Sequence, residues 1–228
     1  EFVTNDEEFN DIKTDYRGNP LYSSMISKLC AFSIRTEFIL RVLVDVLKEN
    51  EEQQIMMLSH NKNLLVYLFK AIEHRNIASV GYYIGGMKDK ELKLTENKKI
   101  ILATYSMAAE ALDIKTLTTL FLLTPKTDVQ QAVGRILRVK HSNPLVIDIV
   151  DSHGIFQNQW RKRKTFYTKQ NYNVFYTNSE IYQPKKIGVT NTNESIWKTL
   201  YVSGQKKKQK EKTDIGTEKG KCLLGKIL

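Results

Sequence analysis

Five short runs of almost wholly apolar residues punctuate the middle of this chain, at 54–58, 79–84, 99–104, 118–123 and 144–150. Between them lie stretches whose apolar residues recur at helical spacing. A strand that is apolar on both faces must be covered on both faces, which is the condition of a strand inside a parallel sheet. Alternation of such strands with helices predicts an α/β fold, a parallel sheet flanked by helices on both sides. In sheets of this kind functional groups gather at the C-terminal ends of the strands. Four loops fall at those ends: Ser59-His60, Gly85-Gly86, Thr104-Tyr105 and Thr124-Pro125.

The helical stretches can be read in the same way. Leu21, Met25, Ile26 and Leu29 predict a helix over 21–33, and Phe38, Ile39, Val42, Leu43, Val46 and Leu47 predict one from Thr36, its candidate cap, to about residue 50. Further helices are expected over 62–75, from Met107, over 128–138 with Asp128 as its cap, and over 155–171. Residues 173–176 suit one more strand. The expected organisation is a lead-in or interdomain linker with a helix over 1–34, the α/β core over 35–152, a basic helical extension over 153–203 and a lysine-rich, mobile tail over 204–228.

Charge narrows the partners. Lys and Arg number 35 against 25 for Asp and Glu, a net charge of +10. That excess favours a polyanion, either nucleic acid or an anionic membrane surface. No apolar run approaches the roughly 20 residues of a membrane span, so nucleic acid is the expected partner and no membrane is. Cys30 and Cys222 stand far apart in unlike contexts, which predicts neither a disulfide framework nor a metal quartet and fits an intracellular, reducing setting. His60, His74, His141 and His153 lack ligand spacing and are expected at surfaces or turns. The chain opens on acidic residues with no signal-peptide layout and no initiator Met, as expected of a fragment of something longer.

The densest chemistry lies in Gln131-Ala132-Val133-Gly134-Arg135-Ile136-Leu137-Arg138. Arg135 and Arg138, three apart on a helix, share a face, and their planar guanidinium forks suit phosphate oxygens. Gly134 leaves room for another backbone or a ligand to approach. This octet resembles motif VI of superfamily 2 helicases, Q-x-x-G-R-x-x-R. The stretch 102–114 resembles motif V of the same family, with Ala111 where Gly is usual and Lys115 where Pro is common. Residues 55–60 resemble motif IV, and Tyr83-Ile84-Gly85-Gly86 resembles the loop that follows it. Their order and spacing also agree. With 146–151 and the basic aromatic stretch after it, the chain resembles the helicases of large cytoplasmic DNA viruses and related phage and poxvirus DNA helicases.

The resemblance implies a fold and a set of roles. The fold would be the second RecA-like domain of a helicase. Arg135 and Arg138 would reach the γ-phosphate of ATP across an interdomain cleft, with Gln131, Gly134 and Asp113 near the same nucleotide. Ser59, Gly85, Gly86, Thr104 and Ser106 would contact the nucleic-acid backbone, small hydroxyls being suited to that task. The run Arg161, Lys162, Arg163 and Lys164, interleaved with Trp160, Phe166 and Tyr167, is a further candidate for backbone contact and stacking.

What the chain lacks bears on its chemistry. It contains no G-x-x-x-x-G-K-[ST] phosphate loop, and Asp6-Glu7-Glu8 follows no apolar strand. ATP and Mg²⁺ would therefore be held mainly by a first RecA-like domain upstream, and this chain alone should not hydrolyse ATP. The expectation is the second half of an ATP-dependent helicase or translocase, with DNA favoured as substrate and viral replication, recombination or transcription as its setting. The alternatives are an RNA helicase and a non-catalytic module that binds nucleic acid or a transcription protein.

Overall fold

The computed structural model describes residues 1–110, 114–136, 144–184 and 196–204, with positions 109, 110, 135 and 136 described by their backbone alone. Asp113, Arg138, His141 and all but the first residue of the lysine-rich tail lie outside the described residues.

Five strands, Gln54–Ser59 (β1), Val80–Tyr83 (β2), Ile100–Thr104 (β3), Leu117–Leu122 (β4) and Leu145–Asp148 (β5), form one sheet in the order β2-β3-β1-β4-β5. Every neighbouring pair is parallel. This is the α/β architecture expected from the apolar runs, and the strand period of two explains how it is filled. Ile55 and Met57 point to one face, where they meet Ile39 and Leu43 of Ser33–Glu49 (α3) and Leu64, Leu68 and Ile72 of Lys62–His74 (α4). Met56 and Leu58 point to the other face. There they meet Tyr105 and Ala108 of Tyr105–Glu110 (α6), Val133 of Gln130–Ile136 (α7) and Tyr167 of Gly154–Lys169 (α8).

Several expectations need correction. Thr36 does not cap α3. The helix starts at Ser33, and the Thr36 hydroxyl donates back to the Phe32 carbonyl at 3.3 Å. A short helix, Asp89–Thr95 (α5), packs on β2 at Gly81, where a Cβ would come within 2.9 Å of the Thr95 side chain. Lys198–Tyr201 (β7) pairs antiparallel with Val174–Tyr176 (β6), so the extension carries a small sheet as well as a helix.

The lead-in is packed into the fold. Glu7–Asn10 (α1) and Tyr22–Ala31 (α2) contribute Phe9, Met25, Ile26 and Leu29 to a core shared with Phe2 and Phe156. The Phe2 amide donates to the Val150 carbonyl at 2.7 Å, and Phe2 bridges Asp151 in parallel just beyond β5. Arg35 and Asp151, both fully buried, form an ion pair at 2.6 Å, and Arg35 also donates to the Leu123 carbonyl at 2.7 Å. His153, expected at a surface or a turn, stands at the bend before α8 but is buried, with its Nε2 at 2.7 Å from the Phe9 carbonyl. Phe9, Phe156 and His153 fill one aromatic cluster, which is what draws the imidazole inward. Among the described residues no helix is long and apolar enough to cross a membrane.

Candidate nucleic-acid and nucleotide interface

The C-terminal edge of the sheet gathers the candidate residues. Ser59 and Thr104 are register partners at the ends of β1 and β3. Thr104 Oγ1 lies 3.1 Å from the hydroxyl of Ser106, which is exposed on the first turn of α6. Gly85 and Gly86, in the turn after β2, are also exposed. A Cβ on Gly85 would sit 3.9 Å from Met107 Sδ, so this turn lies against the start of α6. Gly86 has φ +94°, a left-handed backbone that favours glycine. The glycine turn and the Thr104–Ser106 hydroxyl pair therefore flank one another.

Ser59 does not present its hydroxyl there. It is fully buried, accepting from the Asn61 amide at 2.9 Å and donating to the Asn61 carbonyl at 3.0 Å. Asn61 in turn caps α4 by accepting from the Leu64 amide. The serine fixes the turn after β1, so the expectation of a direct backbone contact is corrected to a local structural role.

Tyr105 and Thr124, which the sequence places at strand ends without assigning either a role, lock the next loop. Thr124, almost fully buried, accepts from the His60 amide at 3.0 Å through its hydroxyl and from the Tyr105 phenol at 2.7 Å through its carbonyl. The His60 ring lies 4.6 Å from that of Tyr105, and Lys126 Nζ is 5.6 Å from the Tyr105 ring centre. Loss of solvent, then the charge of Lys126, lowers the His60 pKa. Burial raises that of Tyr105, which stays a neutral donor. A tyrosine at a strand-to-helix junction, opposite a Thr-Pro that ends the neighbouring strand, was the available signal.

This loop leads into α7. Asp128 Oδ1 accepts from the Gln130 amide at 2.9 Å, but α7 starts at Gln130, so Asp128 stands one residue before the cap position. Val129 and Val133 face the core. At 100° per residue, positions 131, 134 and 135 belong to the opposite face, and Gln131 and Gly134 are exposed there. A Cβ on Gly134 would meet nothing within 4 Å. A glycine inside a helix costs about 1 kcal/mol relative to alanine, and no packing within the described residues calls for it.

The run on α8 divides. Arg161 and Lys162 are exposed and Lys164 is half-buried. Arg163 is 2% exposed. Its guanidinium grips Asp148 at 2.7 and 2.9 Å and donates to the Lys126 carbonyl at 2.5 Å. Tyr167 adds a hydrogen bond to Asp148 at 3.1 Å. Arg163 is thus removed from the candidate nucleic-acid surface, because a carboxylate at the end of β5 draws it inward. Tyr167 is likewise buried in the second core face, and Trp160 and Phe166 pack against it half-buried. The signal for Asp148 was a lone carboxylate in the apolar run 144–150.

A parallel α/β sheet that brings a glycine turn, a hydroxyl pair and the helix α7 to one edge is the architecture of a helicase C-terminal domain. Residues 38–140 match the helicase conserved C-terminal domain, and that segment is such a domain. The chain is 37% identical over 188 residues to a protein of Acanthamoeba polyphaga mimivirus named "Putative ATP-dependent RNA helicase", covering 79% of this chain and 36% of that protein. A protein of African swine fever virus with the same descriptive name is 28% identical over 112 residues, covering 47% of this chain and 22% of the relative. The chain therefore spans about a third or less of these relatives. The structure of T4 UvsW shares the fold, with a TM-score of 0.52 and 21% identity, over 66% of this chain and 35% of that one.

Proposed function

We propose that this chain is the arginine-bearing half of an ATP-dependent helicase or translocase that moves along single-stranded nucleic acid. The observation that carries the reading is the outward face of α7. Gln131 and the unobstructed Gly134 lie on it, and position 135 shares it, one loop away from the strand ends that hold Ser106, Gly85 and Gly86.

That open face fits a phosphate-bearing group approached from another domain. ATP with Mg²⁺, held on the phosphate loop of a first RecA-like domain, would supply the free energy of phosphoryl transfer. Arg135 and Arg138 would place guanidinium forks where negative charge develops during that transfer, and Gln131 would stand beside them with Asp113 nearby. Domain closure on the bound nucleotide and release after hydrolysis would alternate the grip on the strand.

The grip is assigned to Thr104 and Ser106, to the backbone of Gly85 and Gly86, and to Arg161, Lys162 and Lys164. Such contacts read phosphate and sugar, so they give affinity without sequence preference. The family resemblance favours DNA, whereas the names of the two viral relatives specify RNA. A backbone grip accommodates both, and single-stranded nucleic acid is the class assigned. The viral origin of the relatives supports the reducing interior of an infected cell as the setting assigned.

Titration of this chain against labelled single strands of DNA and RNA over a range of salt tests the reading. The expected log–log slope is about −0.7 for each phosphate neutralised on a single strand, with both nucleic acids bound to within a few-fold. Absence of binding at low salt, or binding indifferent to salt, would overturn it.

A further inference from the structure

The turn over residues 14–20 takes no part in the site above, yet it is built with care. Thr14 and Pro20 form an antiparallel bridge, flanked by hydrogen bonds from the Leu21 amide to the Lys13 carbonyl and from the Asp15 amide to the Asn19 carbonyl, each 2.8 Å. Inside the turn the Asp15 carboxylate accepts from the Arg17 amide at 2.8 Å, the Asn19 amide at 2.9 Å and Asn19 Nδ2 at 3.2 Å. Gly18, at φ +80°, completes the reversal. Side-chain-to-backbone bonds of this kind fix a turn, so the tip is a set support.

That support presents Tyr16, which is 88% exposed, with the Arg17 guanidinium 5.0 Å from its ring centre. The root of the turn is pinned to the functional edge. Tyr22 Oη donates to the Pro125 carbonyl at 2.9 Å and accepts from Gln159 Nε2 at 3.4 Å. Pro125 precedes Lys126 in the loop that enters α7. Gln159 lies on α8 three residues before the exposed Lys162, on the same side of that helix.

The geometry points to Tyr16 and Arg17 as a further contact for a single strand of nucleic acid, the ring stacking on an unpaired base and the guanidinium meeting the adjacent phosphate. The inference rests on the helicase reading and extends its binding surface to a segment that the sequence presents as a linker. Base faces are open only in a single strand, and an aromatic ring beside a cation is the standard platform for them. A protein-docking patch would need contiguous apolar area, whereas the neighbours of Tyr16 on the tip are Asp15, Arg17, Gly18 and Asn19.

The test uses this chain, an oligothymidylate and a strand of equal length made of abasic sites, with affinities read by fluorescence anisotropy. Tyr16 touches no core, so Tyr16→Ala leaves the melting temperature unchanged. It should weaken oligothymidylate binding by roughly 5- to 150-fold, the effect of one lost base–aromatic stack. Tyr16→Phe should bind as the wild type does to within about twofold, and the abasic strand should not distinguish Tyr16→Ala from wild type. If Tyr16→Ala binds oligothymidylate as wild type does while the Lys162→Ala, Lys164→Ala double variant is impaired, the nucleic-acid reading stands. The turn then serves a protein partner and the inference is overturned. If wild type binds neither strand, both fall.

Discussion

Arg163 joins the last strand of the sheet to the loop that enters α7: it holds Asp148 with two hydrogen bonds and the Lys126 carbonyl with a third. The end of β5, the basic helix α8 and the entry to α7 are thereby tied through one guanidinium. A shift of α8 has a direct route to the loop that enters α7 through this contact.

Removing one partner of that pair leaves a buried charge uncompensated, which costs about 3–5 kcal/mol. For a chain of this size that corresponds to a melting temperature lower by roughly 6–20 °C. Arg163→Ala should show this loss, and Arg163→Lys should recover only part of it because a point charge cannot span both Asp148 oxygens and the Lys126 carbonyl. Thermal unfolding of the two variants checks the assignment. A surface arginine engaged only with nucleic acid would leave the melting temperature unchanged.

Gly134 gives a test in the opposite direction. A methyl group there meets nothing among the described residues and removes a helix-breaking residue, so Gly134→Ala should stabilise the isolated chain by up to about 1 kcal/mol. In a protein that joins this chain to a phosphate-loop domain, the same change should reduce nucleic-acid-stimulated ATP hydrolysis, because the free space is needed only when the cleft closes. Thermal melts and steady-state turnover, measured on the same substitution, should move in opposite senses.

Cys30 supplies a pH dependence. Burial pushes its thiol from the ordinary value of 9.0 up to about 11. At pH 8 the thiolate fraction is then about 100-fold below that of an ordinary thiol, each pKa unit being tenfold. In a Cys222→Ser background, alkylation of the native protein should be slower than that of a model thiol by this factor. The sign of the linkage follows: the folded state keeps the proton to higher pH than the unfolded state does, so this contribution to stability is present below pH 9 and is lost as pH rises towards 11.

Much of the domain was legible because its signals are local. The apolar runs and the helical spacing fix strands, helices and the parallel sheet, and the Q-x-x-G-R pattern marks α7. What escaped depends on long-range pairing. Ser59 and Arg163 have the residue types of a binding surface, but Asn61 engages one and Asp148 the other. The lead-in reads as a linker because Phe2 and Phe9 lie far apart from Phe156 in sequence, and only the fold brings them into one core. β7 was missed because its four residues, with two exposed and two half-buried, carry no clear alternation.

The central claim is that α7 offers an arginine finger to a nucleotide held elsewhere. The most direct measurement is steady-state ATP hydrolysis at saturating single-stranded nucleic acid, in a protein that joins this chain to a phosphate-loop domain, for wild type, Arg135→Ala and Arg135→Lys. Arginine fingers supply about 10³–10⁵ in rate, so Arg135→Ala should lower kcat by that order and Arg135→Lys should not restore it, while a parallel titration finds nucleic-acid affinity unchanged to within a few-fold. Hydrolysis by Arg135→Ala at the wild-type rate would contradict the account.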